Sequence, residues 1–435
     1  MVDRFEASDG LGAIFPPMIW SVVALRCLGY RDDSREMTYC REQLRGLITE
    51  DAETVRLQPC KSPVWDTAIT LRALGAAGLG PRHLPARRAV DWLLAHQISS
   101  RGDWCETVKA EPGGWCFEYA NGFYPDVDDT AMAVMALDSQ VTSARVTAGS
   151  ADAGLVMVDQ SAESSASEAR RRVATIDHLA AATTRAIKWI EAMQNRDGGW
   201  GAFDRDNNHA FLCHVPFADH NAMIDPSTPD MTGRVLEMYG ELGRQMGDPL
   251  VDRAVAYMRR TQQSDGGWFG RWGVNYVYGT WQSLVGLAAV GLKGDDPAMA
   301  AGANWLLACQ QPSGAWGESP DSYARPELRG RGPATASQTA WALMGLIASG
   351  HARSHAVLRG IGYLLATQRD DGTWDESEFT GTGFPQVFYL RYHYYPIYFP
   401  LLALARWAAT HGGQPADRSR MAADEASAAS ARVDS

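Results

Sequence analysis

Residues 186–200 read Ala-Ile-Lys-Trp-Ile-Glu-Ala-Met-Gln-Asn-Arg-Asp-Gly-Gly-Trp, and the way this stretch recurs decides the fold. Trp189, Ile190 and Met193 fall at helical spacing, Gln194 follows the aromatic by five positions, and Gly198-Gly199 marks a turn that ends on Trp200. Four further segments, Ala89–Trp104, Ala254–Trp268, Ala303–Trp316 and Gly360–Trp374, repeat the order of helix, Gln, Gly-containing turn and Trp; their glutamines are Gln97, Gln262, Gln310 and Gln368. Second helical stretches partner these units at Asp66–Leu79, Asp128–Leu137, Met231–Leu242, Tyr278–Leu292 and Thr335–Ser349. Repeated helix pairs predict an all-α chain, because one pair cannot bury its own apolar face and stacking supplies the cover. Periodicity alone leaves an open solenoid and a closed ring as equal solutions. In both, the Gln amide is available to bond unpaired N–H groups of the next helix start while the indole covers that end.

Composition narrows the function. Lys and Arg number 40 against 51 Asp and Glu, a formal net charge of −11, and no basic block neutralises phosphates, so nucleic acid is excluded as a partner. The seven cysteines (Cys27, Cys40, Cys60, Cys105, Cys116, Cys213, Cys309) include no C-x-x-C pair and read as reduced thiols. Cys213-His214 lacks two further ligands at zinc-site spacing, so no metal is expected. No apolar run reaches the roughly 18–20 residues that cross a bilayer. The first residues lack the basic and apolar regions of a signal peptide, so any membrane contact is expected to be peripheral.

Pro125-Asp126-Val127-Asp128-Asp129-Thr130-Ala131 places three carboxylates in four positions at a helix start. Capping and the helix dipole alone can produce this pattern, with Asp126 as the N-cap. Three crowded acids also cannot all ionise cheaply, so one is able to keep a proton near neutral pH and act as a Brønsted acid. Three stretches break the repeat. Residues 139–175 and 413–435 are rich in Ser, Ala and charge and read as a mobile insertion and a disordered tail. In the first residues, Ser8-Asp9-Gly10-Leu11-Gly12-Ala13 looks like the turn of a repeat whose helix is absent, which suggests a chain that starts inside a longer protein.

The D-x-D-D-T-A segment together with five Gln/Trp units resembles the squalene–hopene cyclases and their relatives, the oxidosqualene cyclases, where the repeat is called the QW motif. The resemblance covers about residues 9–412. It implies an α–α barrel over residues 59–412 that bears the acid, with residues 1–58 a remnant of a second, N-terminal barrel. It also implies proton-initiated cationic cyclisation of squalene to hopene or hopanol without a cofactor. Asp128 stands at the family's proton-donor position, with Asp126 and Asp129 sharing its charge. Trp65, Phe117, Trp272, Tyr278, Phe384, Phe388, Tyr389, Tyr392 and Tyr395 align with cavity aromatics, joined by Tyr124 beside the acid motif. Phe217, in His214-Val215-Pro216-Phe217-Ala218, aligns with the substrate-channel constriction. The implied setting is a monotopic protein on the cytoplasmic face of a bacterial inner membrane, with a homodimer as a candidate assembly.

Two positions depart from the best-known bacterial pattern. Arg234 replaces a His that pairs with the acid, and His220 replaces a cavity Phe. A permanent cation against Asp128 would favour its ionised form, so Arg234 is expected to neutralise Asp126 or Asp129 instead. The absence of a DDxxD string argues against metal-dependent diphosphate ionisation. The alternative readings are an inactive helical-repeat module that binds lipid or a partner, and a class II diterpene-type cyclase. Incubation with squalene separates the first of these from an enzyme, and the repeated Gln/Trp units weigh against the second.

Overall fold

Proline and short polar caps set where the helices begin. Asp248 precedes Pro249 and accepts the Leu250 N–H, Asp296 precedes Pro297 and accepts that of Ala298, and Ser354 accepts that of Val357. The computed structural model, which describes residues 1–80, 83–149, 165–215 and 223–411, contains α1 (Phe15–Cys27), α2 (Arg35–Arg45), α3 (Pro63–Ala76), α4 (Leu84–Ala95) and α5 (Val127–Gly149). Then follow α6 (Ser165–Ala192), α7 (Pro229–Glu241), α8 (Pro249–Thr261), α9 (Tyr276–Ala289) and α10 (Pro297–Ala308). The series ends with α11 (Ala336–Ala348), α12 (His355–Thr367) and α13 (Tyr395–Thr410). Two short antiparallel hairpins accompany them: β1 (Ile48–Glu50) with β2 (Val55–Leu57), and β3 (Gly381–Phe384) with β4 (Phe388–Leu390).

Helices α3, α5, α7, α9, α11 and α13 each pack on the next, and α13 packs back on α3. This contact closes the ring and removes the open-solenoid alternative. Helices α4, α6, α8, α10 and α12 lie outside, each against the inner helix that precedes it. The inner helices are covered on every side, as in the unbroken buried runs Pro229–Tyr239 of α7 and Tyr276–Leu287 of α9. They therefore mix apolar residues with small polar ones instead of showing an amphipathic stripe. Helices α7 and α9 approach closely: a Cβ added at Gly286 would stand 2.2 Å from the Gly233 carbonyl oxygen.

The repeat works differently from the expected capping. Each indole N–H donates to a carbonyl near the end of its outer helix: Trp200 to Ile190, Trp268 to Met258, Trp316 to Leu306 and Trp374 to Leu364, at 2.7–2.8 Å. The Gln amide donates to carbonyl oxygens rather than accepting the backbone N–H groups of the next helix start. Gln310 Nε2 reaches Gly314 in its own turn and Ala356 in the first turn of α12, both at 2.8 Å, while its oxygen accepts from Arg359. A threonine of the next inner helix finishes the joint, because Thr130, Thr232, Thr280 and Thr339 accept the backbone N–H of Trp115, Trp200, Trp268 and Trp316.

The first unit corrects the sequence reading. Trp115, not Trp104, occupies the repeat position: its indole donates to Leu93 at 2.7 Å, and Gln97 reaches Gly113 and Ala182. Trp104 packs edge-on against Trp189, and its indole nitrogen has no hydrogen-bond partner among the described residues. An inserted loop containing the earlier Trp disguises the register.

Helix α5 runs on past Leu137 to Gly149, and α6 begins at Ser165, so helix enters both flanks of the segment read as an insertion. Residues 150–164 of that segment and the tail from 412 onward lie outside the described residues. Near the N-terminus, Phe5, Leu25, Met37 and Cys40 form a small core separate from that of the barrel. Asp9 accepts the Ala120 N–H at 2.8 Å and Arg4 pairs with Asp103 at 2.6 Å, which ties this part to the loop before α5. No described helix is long and apolar enough to cross a membrane.

Candidate active site

The acid segment forms the first turn of α5. Asp126 is the N-cap, with Oδ1 accepting the N–H groups of Asp128 at 2.6 Å and Asp129 at 3.2 Å. Its own N–H donates to the Trp115 carbonyl at 2.7 Å, and Thr130 receives the Trp115 N–H, so the repeat joint fixes where the acids point. All three carboxyls are buried, and Asp129 Oδ1 has no hydrogen-bond partner among the described residues.

Arg234 sits on Asp128, which overturns the expected pairing with Asp126 or Asp129. Its Nε donates to Asp128 Oδ1 at 2.9 Å and Nη2 to the Tyr278 hydroxyl at 3.2 Å. The guanidinium lies 5.5 Å from the Trp65 ring and 5.4 Å from that of Trp281. The Asp–Arg pair therefore sits in an aromatic box. Trp65 Nε1 donates to the Tyr395 hydroxyl at 3.1 Å, Tyr392 stacks on Tyr395 at 4.3 Å, and Phe117 meets Tyr392 edge-on. Trp281, Trp341 and Phe399 complete the box around Tyr278 and Tyr395. Sequence reading missed these three, although Trp281 lies one turn after Tyr278 on the same helical face.

A second aromatic group lies toward the helix starts. Asp230, one turn before Arg234, accepts the N–H groups of Arg271 and Trp272 at 2.8 and 2.9 Å. The Val274 N–H donates to the Thr380 carbonyl at 2.8 Å and the Thr382 N–H to the Trp272 carbonyl at 3.3 Å, which joins this loop to the β3–β4 hairpin that carries Phe384, Phe388 and Tyr389. Phe384 and Phe388 pack together, and Tyr389 stacks on Tyr323. Tyr124 is placed apart from both groups, 47% exposed with its hydroxyl 3.4 Å from Asp103. Phe217 and His220 lie outside the described residues.

Electrostatics separate the three acids. Burial, reinforced by mutual repulsion, pushes Asp126 and Asp129 well above the usual carboxylate range. Burial also raises Asp128, while Arg234 pulls it back. For Arg234, burial opposes the charge, yet Asp128, Tyr278 and Glu237 outweigh it and keep the guanidinium protonated. Burial lifts two nearby acids as well, Glu118 to about 8 and Asp66 to about 6. Asp128 thus combines a site that favours holding a proton with a cation that stabilises the carboxylate left when the proton goes. Among the described residues no cluster of His, Cys, Asp and Glu has the arrangement of a metal site.

Comparison with known proteins gives this geometry a family. The squalene-hopene cyclase C-terminal domain model matches residues 61–155 and 155–409, and the corresponding N-terminal domain model matches residues 1–53. A probable squalene–hopene cyclase of Sinorhizobium fredii is 42% identical over 412 residues, covering 93% of this chain and 59% of its own length. A squalene–hopene cyclase of Bradyrhizobium diazoefficiens is 41% identical over 411 residues, covering 93% of this chain and 57% of its own length. The chain therefore spans under two thirds of the length of these curated relatives. A crystal structure of a protein from Actinoplanes shares the fold with a TM-score of 0.50 at 18% identity, over 79% of this chain and 90% of that one. The match of the family model across most of the sequence establishes that this chain belongs to the squalene-hopene cyclase family.

Proposed function

We propose that this chain carries the proton-donating half of a triterpene cyclase, which converts squalene to a hopene- or hopanol-type polycycle. The observation that carries this reading is Asp128, buried between two carboxyls, bonded to Arg234 and walled by aromatic rings. Protonating an isolated alkene demands a strong acid in a dry site, since water would level the acid and capture the cation. Asp126 and Asp129 make ionisation of the cluster costly, so a proton stays available. Arg234 makes Asp128 the strongest acid of the three, because only its conjugate base gains a cation at bonding distance. The reaction balances within the site: Asp128 Oδ–H gives its proton to a terminal alkene carbon, and positive charge passes to the other carbon of that bond. Successive ring closures move the charge along the folded chain. Aromatic faces stabilise it at about 0.5–2 kcal/mol each without offering a lone pair that would trap it.

The roles follow from placement. Trp65, Tyr278, Tyr392, Tyr395 and Phe117 would face the early cation near the acid, while Trp272, Phe384 and Phe388 would face charge farther along. The acid chemistry needs side chains only, so turnover is expected to persist in chelator. Squalene is too apolar to arrive through water, and we assign its source to a bilayer surface contacted peripherally.

The test supplies squalene in detergent to the chain alone and to a hybrid in which the N-terminal part of the Bradyrhizobium relative precedes it. Cyclised hydrocarbon is expected from the hybrid, and Asp128→Asn is expected to abolish it with the helical circular dichroism unchanged. An Asp128→Asn rate within about tenfold of the parent, a barrier change of only about 1.4 kcal/mol, would remove Asp128 as the acid. Failure of both proteins to convert squalene would overturn the assignment.

A further inference from the structure

The mechanism leaves unused a buried charge network behind Arg234. On one face of α7, Arg234, Glu237 and Glu241 follow at i, i+3 and i+7. Glu237 is 1% exposed. Its Oε1 accepts from Arg72 of α3 at 2.6 Å and Arg406 of α13 at 2.7 Å, and its Oε2 accepts from Gln282 of α9 at 2.8 Å. Among the described residues Arg234 Nη1 has no hydrogen-bond partner, and it lies 3.8 Å from Glu237 Oε2. Glu241 takes a further bond from Arg72 and lies 4.0 Å from Arg406 at the half-exposed end of the network.

A buried arginine whose sole counter-ion is the proton donor creates a conflict. Protonating Asp128 would strand the guanidinium without an anion, and a stranded buried charge is heavily penalised. The donor would then stay ionised, with no proton to give. We propose that Glu237 is a positioning residue for the proton donor, supplying the second anion that keeps Arg234 paired and in place while Asp128 holds its proton. Arg72 and Arg406 keep Glu237 itself ionised: burial would raise it, yet these two and Arg234 hold it well below the usual range. The groups that face Asp128 are Asp126 and Asp129 on α5, Asp230, Arg234 and Glu237 on α7, Tyr278 on α9 and Tyr395 on α13. Of these, Glu237 alone bridges Arg234 to a further pair of cations.

This inference rests on Asp128 being the donor, and its test reads Asp128 directly. The protonated carboxyl of Asp128 is followed by pH-difference infrared spectroscopy, its C=O band identified as the one lost in Asp128→Asn. Glu237→Gln should lower the midpoint of that band by about one pH unit or more, a tenfold loss in protonated fraction at fixed pH. Arg406→Gln should move it the opposite way, since Glu237 would then act more strongly on Arg234. Glu237→Asp, which keeps the charge, should restore most of the parent midpoint. A purely structural role would loosen the fold without shifts of opposite sign. An unchanged midpoint in folded Glu237→Gln overturns the proposal; if that variant does not fold, absence of an upward shift in Arg406→Gln overturns it. Shifts of the expected signs in a protein that does not turn over squalene would uphold the role of Glu237 and count against the proposed function.

Discussion

Asp66, in the first turn of α3, shows what burial does to a single carboxyl. It accepts from the Ser62 and Tyr398 hydroxyls at 2.7 and 3.1 Å, yet burial outweighs both bonds and lifts it to about 6. A folded value above the unfolded one means that the native state binds the proton more tightly. The resulting stabilisation is complete below the unfolded value of about 3.9 and is lost as pH rises through about 6. Across that interval the group should cost the fold about 3 kcal/mol, at about 1.4 kcal/mol for each of roughly two pKa units. Asp66→Asn should flatten that slope, measured as urea midpoints at acidic and neutral pH; an unchanged slope would show that the carboxyl is not the source. At this scale the acid motif was legible, because D-x-D-D at a helix start fixes Asp126 as the cap and places the other two in the first turn. Which acid takes the arginine was not. Arg234 lies 106 residues along the chain from Asp128, and only the packing of α7 beside α5 brings them together.

Each repeat unit spends its polar atoms on the joint between an inner and an outer helix, and the joints differ in how much they can lose. Gln310→Ala would leave the Gly314 and Ala356 carbonyls and Arg359 without their partner, a loss of about 2–3 kcal/mol. Gln368 is exposed and bonds Gly372 at 3.0 Å, so the same change there should cost about 1 kcal/mol or less. Chemical denaturation of the two variants checks the order. The register correction makes a paired prediction. Trp115→Phe should destabilise by about 1 kcal/mol more than Trp104→Phe, because only Trp115 surrenders an indole bond. Equal losses would return Trp104 to the repeat. Spacing exposed four of the five joints; in the first, Gln97 and Trp115 are separated by an inserted loop that no fixed period anticipates.

At the scale of the whole molecule, the α13–α3 contact makes the barrel a ring. Tyr395 of α13 bonds Trp65 of α3, Tyr398 bonds Asp66, and Arg72 and Arg406 share Glu237. In an open array the terminal helices would fray first. Closure predicts that amides of α3 and α13 exchange as slowly as those of α7 and α9 in native-state hydrogen exchange. Rapid exchange confined to α3 and α13 would mean that the seam does not hold. The sequence by itself determined the helices, their pairing and the acid-bearing turn, since periodicity, caps and Gly-containing turns act over a few residues. Periodicity left closure open and the family resemblance implied it, whereas only the tertiary structure decided that Arg234 faces Asp128 and that Glu237 stands behind it. Those outcomes depend on contacts between residues as far apart as Trp65 and Tyr395, whose adjacency arises from the summed rotation of all the intervening helix pairs.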